Sequence, residues 1–297
     1  MTVSKQNKHH ILPVAALLFG AATWGIVWYP YRLLEQAGIS GEISTTITYF
    51  IALLFGLILF RRSLRSTHIF NGQAHLLFWI GFCGAWTNIA YILGVLLGEV
   101  MRVLLLFYLA PLWTILFARL LLNEKLSIQG IFVMALSLAG AAMMLWQPGS
   151  SFSLPTSHGD WLGILGGFMF ALMNVLIRKD QTHHIQLKSI AIWLGVTLVG
   201  LGCSLAIGAP LLLSDISVNS WLLLLIVGLM LFVMTIVLQY GLTLVPANQA
   251  VIFLLFEIFV AAIAAYLLTN ESLSPNEWIG GAMIVSASLF ATKMNQS

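Results

Sequence analysis

Apolar residues run along this chain in long blocks parted by short polar breaks. About 20 such residues make one helical crossing of a bilayer. The blocks predict ten helical spans, at 11–35, 43–60, 74–97, 100–122, 128–146, 160–178, 189–213, 219–241, 247–269 and 276–294. Arg61, Arg62 and Arg65 close the second span, Gln147-Pro148-Gly149-Ser150-Ser151 the fifth, and Arg178-Lys179-Asp180 the sixth. Only Gly98-Glu99-Val100 parts the third from the fourth. A single helix across both would be about 48 residues, far too long for one crossing. Met1 to His10 form a polar tail, and the block from Ile11 has no cleavage-site pattern, so it is expected to be kept as the first helix. Pro13 suits a first helical turn, where its missing N–H costs little.

Composition excludes several classes of function. The 297 residues are 60% hydrophobic and only 8% charged, against roughly a quarter charged in a soluble domain. A soluble enzyme, a disordered chain and a nucleic-acid binder are excluded, because none could cover that much apolar surface. Basic residues then set orientation. With the N-terminus inside, Lys5, Lys8, Arg61, Arg62, Arg65, Arg119, Lys125, Arg178, Lys179, Lys188 and Lys293 fall on the inner side. Only Arg32 and Arg102 fall outside. Both termini are therefore expected in the cytoplasm of a multi-pass protein of a bacterial inner (cytoplasmic) membrane. Glu35, Glu42, Glu99, Asp160, Asp215, Glu271 and Glu277 lean to the outer side. Cys83 and Cys203 are too few for a disulfide framework or a structural zinc site. His158, His183 and His184 lie in loops on opposite sides and are expected to be solvated, with no metal site. There is no Gly-rich phosphate loop and no His-Glu-x-x-His motif, so neither an ATP-driven pump nor an enzyme nor a cofactor is expected.

The chain repeats internally. Leu120-Leu121-Leu122-Asn123-Glu124-Lys125-Leu126-Ser127 returns 147 residues later as Leu267-Leu268-Thr269-Asn270-Glu271-Ser272-Leu273-Ser274, with six of eight positions identical. Ala118 and Ala265 extend the match. Each half then holds five spans. An odd number makes the halves cross in opposite directions, which is the inverted repeat of secondary transporters. The expected fold is an all-α polytopic membrane protein of ten transmembrane helices. It divides into a first five-helix repeat (1–146), an outer linker (147–159) and a second repeat (160–297).

The residues at these places resemble the Drug/Metabolite Transporter superfamily, in particular its EamA-type members. The resemblance rests on Tyr108-Leu109-Ala110-Pro111-Leu112-Trp113 running on to Glu124, on Phe256-Glu257-Ile258 followed by Glu271, on Trp24-Gly25, and on Asn174 to Lys179. It covers nearly the whole chain. At Ile258 many relatives carry Pro, so the ninth helix is expected to run without their kink. The resemblance implies two five-helix repeats and transport of a small metabolite, but leaves amino acids, amines, nucleotide sugars and other metabolites open.

Three charged residues stand out from the topology markers. Glu257 lies near the middle of the ninth span, where an acid costs roughly 2.5–3.5 kcal/mol to insert. It can exchange a proton or balance a cationic substrate. Arg32 and Arg102 could each clamp a carboxylate, or pair with Glu35 and Glu99 one turn away. Trp24, Tyr29, Tyr49, Trp86, Asn88, Tyr91, Tyr108, Asn174 and Gln239 lie within spans and predict an aromatic cavity with a few hydrogen-bonding groups. Interfacial belts and helix–helix bonds are their alternative uses. Small residues in the fifth and tenth spans, such as Gly140, Gly280 and Gly281, predict close packing, within one chain or between two. The expected function is a secondary active transporter exporting a small polar metabolite. That substrate is an amino acid or related compound, moved by rocking of the two repeats about a central site. Export of cationic amines or drugs is the alternative. The partners are the small-molecule substrate and the lipid bilayer, with monomer and homodimer both open.

Overall fold

The computed structural model describes the backbone of residues 3–66, 72–97, 100–145, 155, 157–207, 216–269 and 275–294. The linker residues Gln147 to Ser151, Glu99, Asp215 and the second copy of the repeated motif at 270–274 lie outside the described residues, as do the side chains of Arg102, Glu277 and Lys293. Among the described residues there are helices and no strands. A backbone in hydrocarbon must satisfy its own N–H and C=O groups, and the helix does so within one segment.

The first span is α1 (Val3–Gln36), which starts well before Ile11 and continues through Pro30. The second is α2 (Gly41–Leu59), followed by a one-turn-and-a-half helix α3 (Arg61–Ser66) that hydropathy did not predict. The third is α4 (Ala74–Leu97). The fourth is two helices, α5 (Val100–Phe107) and α6 (Ala110–Leu122), and the fifth is α7 (Ile128–Leu145). The second half runs α8 (His158–Lys179), α9 (Ile185–Ile207) and α10 (Val218–Leu244). Its ninth span is again two helices, α11 (Ala247–Leu254) and α12 (Phe256–Thr269), before α13 (Pro275–Met294). Among the described residues seven spans are long and apolar enough to cross a membrane by themselves, and shorter apolar helices accompany them. A capping box starts α8: Ser157 Oγ accepts from Asp160 N–H at 3.0 Å, and Asp160 Oδ2 accepts from Ser157 N–H at 3.2 Å.

The two broken spans are equivalent. The fourth breaks at Tyr108 and Leu109, and the ninth at Leu255, 147 residues after Tyr108. At the first break Pro111 has no N–H to give the Phe107 carbonyl. The chain tightens instead, with Leu109 N–H on Leu106 O (3.3 Å) and Leu112 N–H on Leu109 O (2.9 Å). At the second break Ile258 does have an N–H, yet it turns to Leu255 O at 3.1 Å, one residue short of the α-helical partner. The expectation of an unkinked ninth helix is therefore corrected. Proline accompanies the break in one repeat, and the surroundings impose it in the other.

Packing interleaves the halves. α4, α5 and α6 of the first repeat pack on α8 of the second, while α10, α11 and α12 of the second pack on α1 of the first. These two sets exchange under the repeat, so each is the image of the other. The α2·α9 and α7·α13 pairs also join one repeat to the other. The result is two mixed bundles, one of α4–α6 with α8 and one of α1 with α10–α12. The small-residue faces of α7 and α13 meet each other: a Cβ on Gly140 would come 2.7 Å from Gly280 O, and one on Gly280 2.5 Å from Gly140 O. Within α8, Gly163 lets α5 approach to backbone contact, since a Cβ there would lie 2.8 Å from Val103 O.

Candidate functional site

A cavity of about 100 Å³ lies between the two mixed bundles. Its walls follow the repeat. Thr87 and Met234, Asn88 and Thr235, Tyr91 and Leu238, and Phe107 and Leu254 all line it, and each pair is separated by 147 residues. The cavity therefore sits on the pseudo-twofold axis that relates the inverted halves, where the two broken helices also meet. Such a place is the midplane site of inverted-repeat carriers.

Seven of the twelve sequence-predicted residues line this cavity: Trp24, Tyr49, Asn88, Tyr91, Asn174, Gln239 and Glu257. Tyr108 stands just beside it. It lines a smaller pocket shared with Glu257. The other four are elsewhere. Tyr29 meets Trp28 edge-on at 5.7 Å, and Trp86 packs against Phe82 at 6.4 Å. Arg32 is exposed at the far end of α1 and does not line the cavity. Arg102 belongs to α5, but its side chain lies outside the described residues. Thr87, Phe107, Phe170, Met173 and Thr235 also line the cavity and were not singled out in the sequence. Threonines in apolar runs look like helix-packing residues. The repeat was the available signal, because Thr235 is the image of Asn88.

Glu257 lies in the first turn of α12, directly after the break. The break thus places Glu257 at a helix N-terminus, an end that favours negative charge. The neighbouring backbone is held by Gly25: a Cβ there would fall 2.8 Å from Glu257 O and 2.9 Å from Ala261 N. The remaining polar groups differ in how far they are committed. Asn88 Nδ2 donates to Gly84 O at 2.9 Å, and its Oδ1 accepts from the Tyr49 hydroxyl at 3.0 Å. Asn174, 2% exposed, has neither amide atom paired, and Gln239, 1% exposed, has Oε1 unpaired. Aromatic rings of Trp24, Tyr49, Tyr91, Phe107 and Phe170 complete the wall.

One end of the cavity is tied shut between the bundles. Glu124, just past α6, accepts from Ala247 N–H at the start of α11 (3.0 Å) and faces Arg178 Nε at 3.6 Å. Arg178 Nη1 donates to Thr243 O at 2.6 Å, and Gln181 Nε2 reaches the same oxygen at 3.1 Å. Lys188 is fully buried, its Nζ donating to Ile177 O (2.9 Å), Thr243 Oγ1 (3.2 Å) and Asp180 O. His183 is not solvated as expected. Its Nδ1 lies 2.8 Å from Asp180 Oδ2, both side chains buried, because Asp180 also accepts the backbone N–H groups that close the α8–α9 turn.

Comparison with known proteins agrees with this architecture. A crystal structure of another protein matches with a TM-score of 0.78 over 96% of this chain and 99% of that one, at 14% identity, which is a likeness of fold. An uncharacterized transporter of Archaeoglobus fulgidus is 29% identical over 206 residues, 69% of this chain and 72% of the relative. The EamA-like transporter family matches twice, over residues 11–146 and 157–293, once for each five-helix half. Two matched halves that together span nearly all of the chain, interleaved about one cavity, make this protein a member of the EamA-like transporter family.

Proposed function

We propose that this transporter is a secondary active exporter of small amine-bearing metabolites, working by alternating access with Glu257 as the coupling group. The observation that carries the reading is the placement of Glu257, the only charged side chain among the described residues that line the cavity. It binds an ammonium from the cytoplasm, releases it outside on taking up a proton, and returns protonated. The many basic residues at the end bearing Arg178 support placing that end, and both termini, in the cytoplasm of a bacterial inner membrane. On this reading the two mixed bundles move against each other, which keeps α8 packed on α4–α6 and α1 packed on α10–α12. The test uses proteoliposomes with an imposed pH gradient and labelled phenethylamine. Glu257→Gln is expected to abolish proton-driven movement at normal expression, and undiminished movement would refute the coupling role.

Amino acids are the second reading. The unpaired Asn174 Nδ2 supports it, since a neutral amide can donate to a carboxylate. Against it, Arg32 does not line the cavity. Phenylalanine differs from phenethylamine by the carboxylate alone, so their relative transport rates separate the two readings.

A further inference from the structure

We infer that Asn174 and Gln239 form a second, neutral subsite that selects bifunctional amines, molecules with an ammonium at one end and a hydrogen-bond donor at the other. The inference rests on the reading of Glu257 as the ammonium site. Both amides are buried to within 2% and line the same cavity, yet three of their atoms have no partner: Asn174 Oδ1, Asn174 Nδ2 and Gln239 Oε1. Buried polar atoms are nearly always hydrogen-bonded, and leaving them unpaired is costly. Asn88 in the same wall shows the contrast, since both its amide atoms are already used by Gly84 and Tyr49. The first repeat's amide is structural, and the second repeat's pair is held ready for an occupant.

The chemistry of the three atoms names the occupant. Two are carbonyl oxygens, which accept, and one is an N–H₂ group, which donates. A carboxylate only accepts. It would leave both oxygens unpaired and set its own lone pairs against them, with the Glu257 carboxylate in the same cavity. A hydroxyl or a second amine brings the donors those oxygens lack. The rings of Trp24, Tyr91 and Phe107 line the same cavity and supply apolar wall for the body of such a molecule. Asn174 lies on α8 and Gln239 on α10, so the two amides belong to different bundles. A donor shared between them ties the bundles together, linking recognition of the correct substrate to the conformational step.

The test compares tyramine with phenethylamine, which lacks only the hydroxyl, by calorimetry on the purified transporter. Wild type is expected to bind tyramine about tenfold more tightly, the size of one well-made hydrogen bond. Asn174→Leu and Gln239→Met should each erase the preference for tyramine over phenethylamine, and a retained cooperative thermal transition shows that the variant is folded. Equal binding of the two amines by wild type, or a preference that survives both substitutions, overturns the subsite but leaves the ammonium reading standing. Loss of phenethylamine binding in both variants also overturns it, because the amides would then be needed for the cavity itself. Wild type binding neither amine overturns the reading of Glu257 and the subsite together.

Discussion

Gly25 shows how one missing methyl group can place a charge elsewhere. α1 and α12 approach until a Cβ on Gly25 would lie 2.8 Å from Glu257 O, well inside ordinary contact, so the side chain forbidden at 25 sets the position of the acid at 257. Overpacking of this kind costs about 1–3 kcal/mol and moves backbone. Gly25→Ala is therefore expected to weaken amine binding several-fold and slow transport. Gly202→Ala, whose Cβ would meet nothing within 4 Å, serves as the control. Equal binding by the two variants would break the link between Gly25 and the site. The Trp24-Gly25 pair was visible in the sequence as a resemblance, whereas its purpose was not, because the partner backbone lies more than 200 residues away. Amides in apolar runs were legible as candidates because hydrocarbon does not tolerate them unpartnered. Lys188 and Glu124 were read as an orientation marker and part of a repeat. A charge at the end of a span looks the same from sequence whether it meets water or, like Lys188, is spent on buried carbonyls.

The broken helices carry the lesson at the scale of the element. Hydropathy located both spans, because an interruption of one or two residues leaves the apolar composition unchanged. It could not place the breaks, and reasoning from the missing proline at Ile258 led to an expected unkinked ninth helix. Ile258 occupies the position of Pro111 in the second repeat and its helix breaks all the same, with Ile258 N–H drawn to Leu255 O. The break is thus a property of the packing, in which α5 lies backbone to backbone on α8 and α12 on α1. A Pro111→Ala variant should keep both the break and transport, with a modest change in thermal midpoint. Restoration of a continuous helix in its structure, or abolished transport, would show that proline sets the geometry. The interleaving itself was out of reach of the sequence. A repeat announces that two halves are alike, but says nothing of whether they pack side by side or through one another.

For the whole molecule, interleaving bears on the movement proposed for transport. Rocking one repeat against the other would break the contacts of α4, α5 and α6 with α8 and of α1 with α10, α11 and α12, which are a large part of the interior. Motion of the mixed bundles preserves these contacts and falls on the cavity between them and on pairs such as α6·α11 that cross it. At one end the bundles are joined by Glu124 on the α11 N-terminus and by Arg178 on Thr243 O, while Arg178 Nε lies 3.6 Å from Glu124 within one bundle. A carboxylate at a helix N-terminus is favourable through both the N–H groups and the dipole, so this latch should bias the protein toward closure there. Glu124→Ala removes the carboxylate and leaves Arg178 and Ala247 N–H without it. Hydrogen bonds to charged groups contribute about 1.5–3 kcal/mol, enough to raise the population open at that end about tenfold or more. Ile177 is fully buried and lines the cavity, next to Lys188. In a background lacking Cys83 and Cys203, Ile177→Cys reports on opening through its reaction with a membrane-impermeant maleimide applied to the Arg178 end. Adding Glu124→Ala should speed that labelling about tenfold. A bifunctional amine bridging Asn174 and Gln239 should slow it again, by drawing the bundles back together. Labelling that ignores both the substitution and the ligand would mean that neither the latch nor the cavity governs the movement of the bundles.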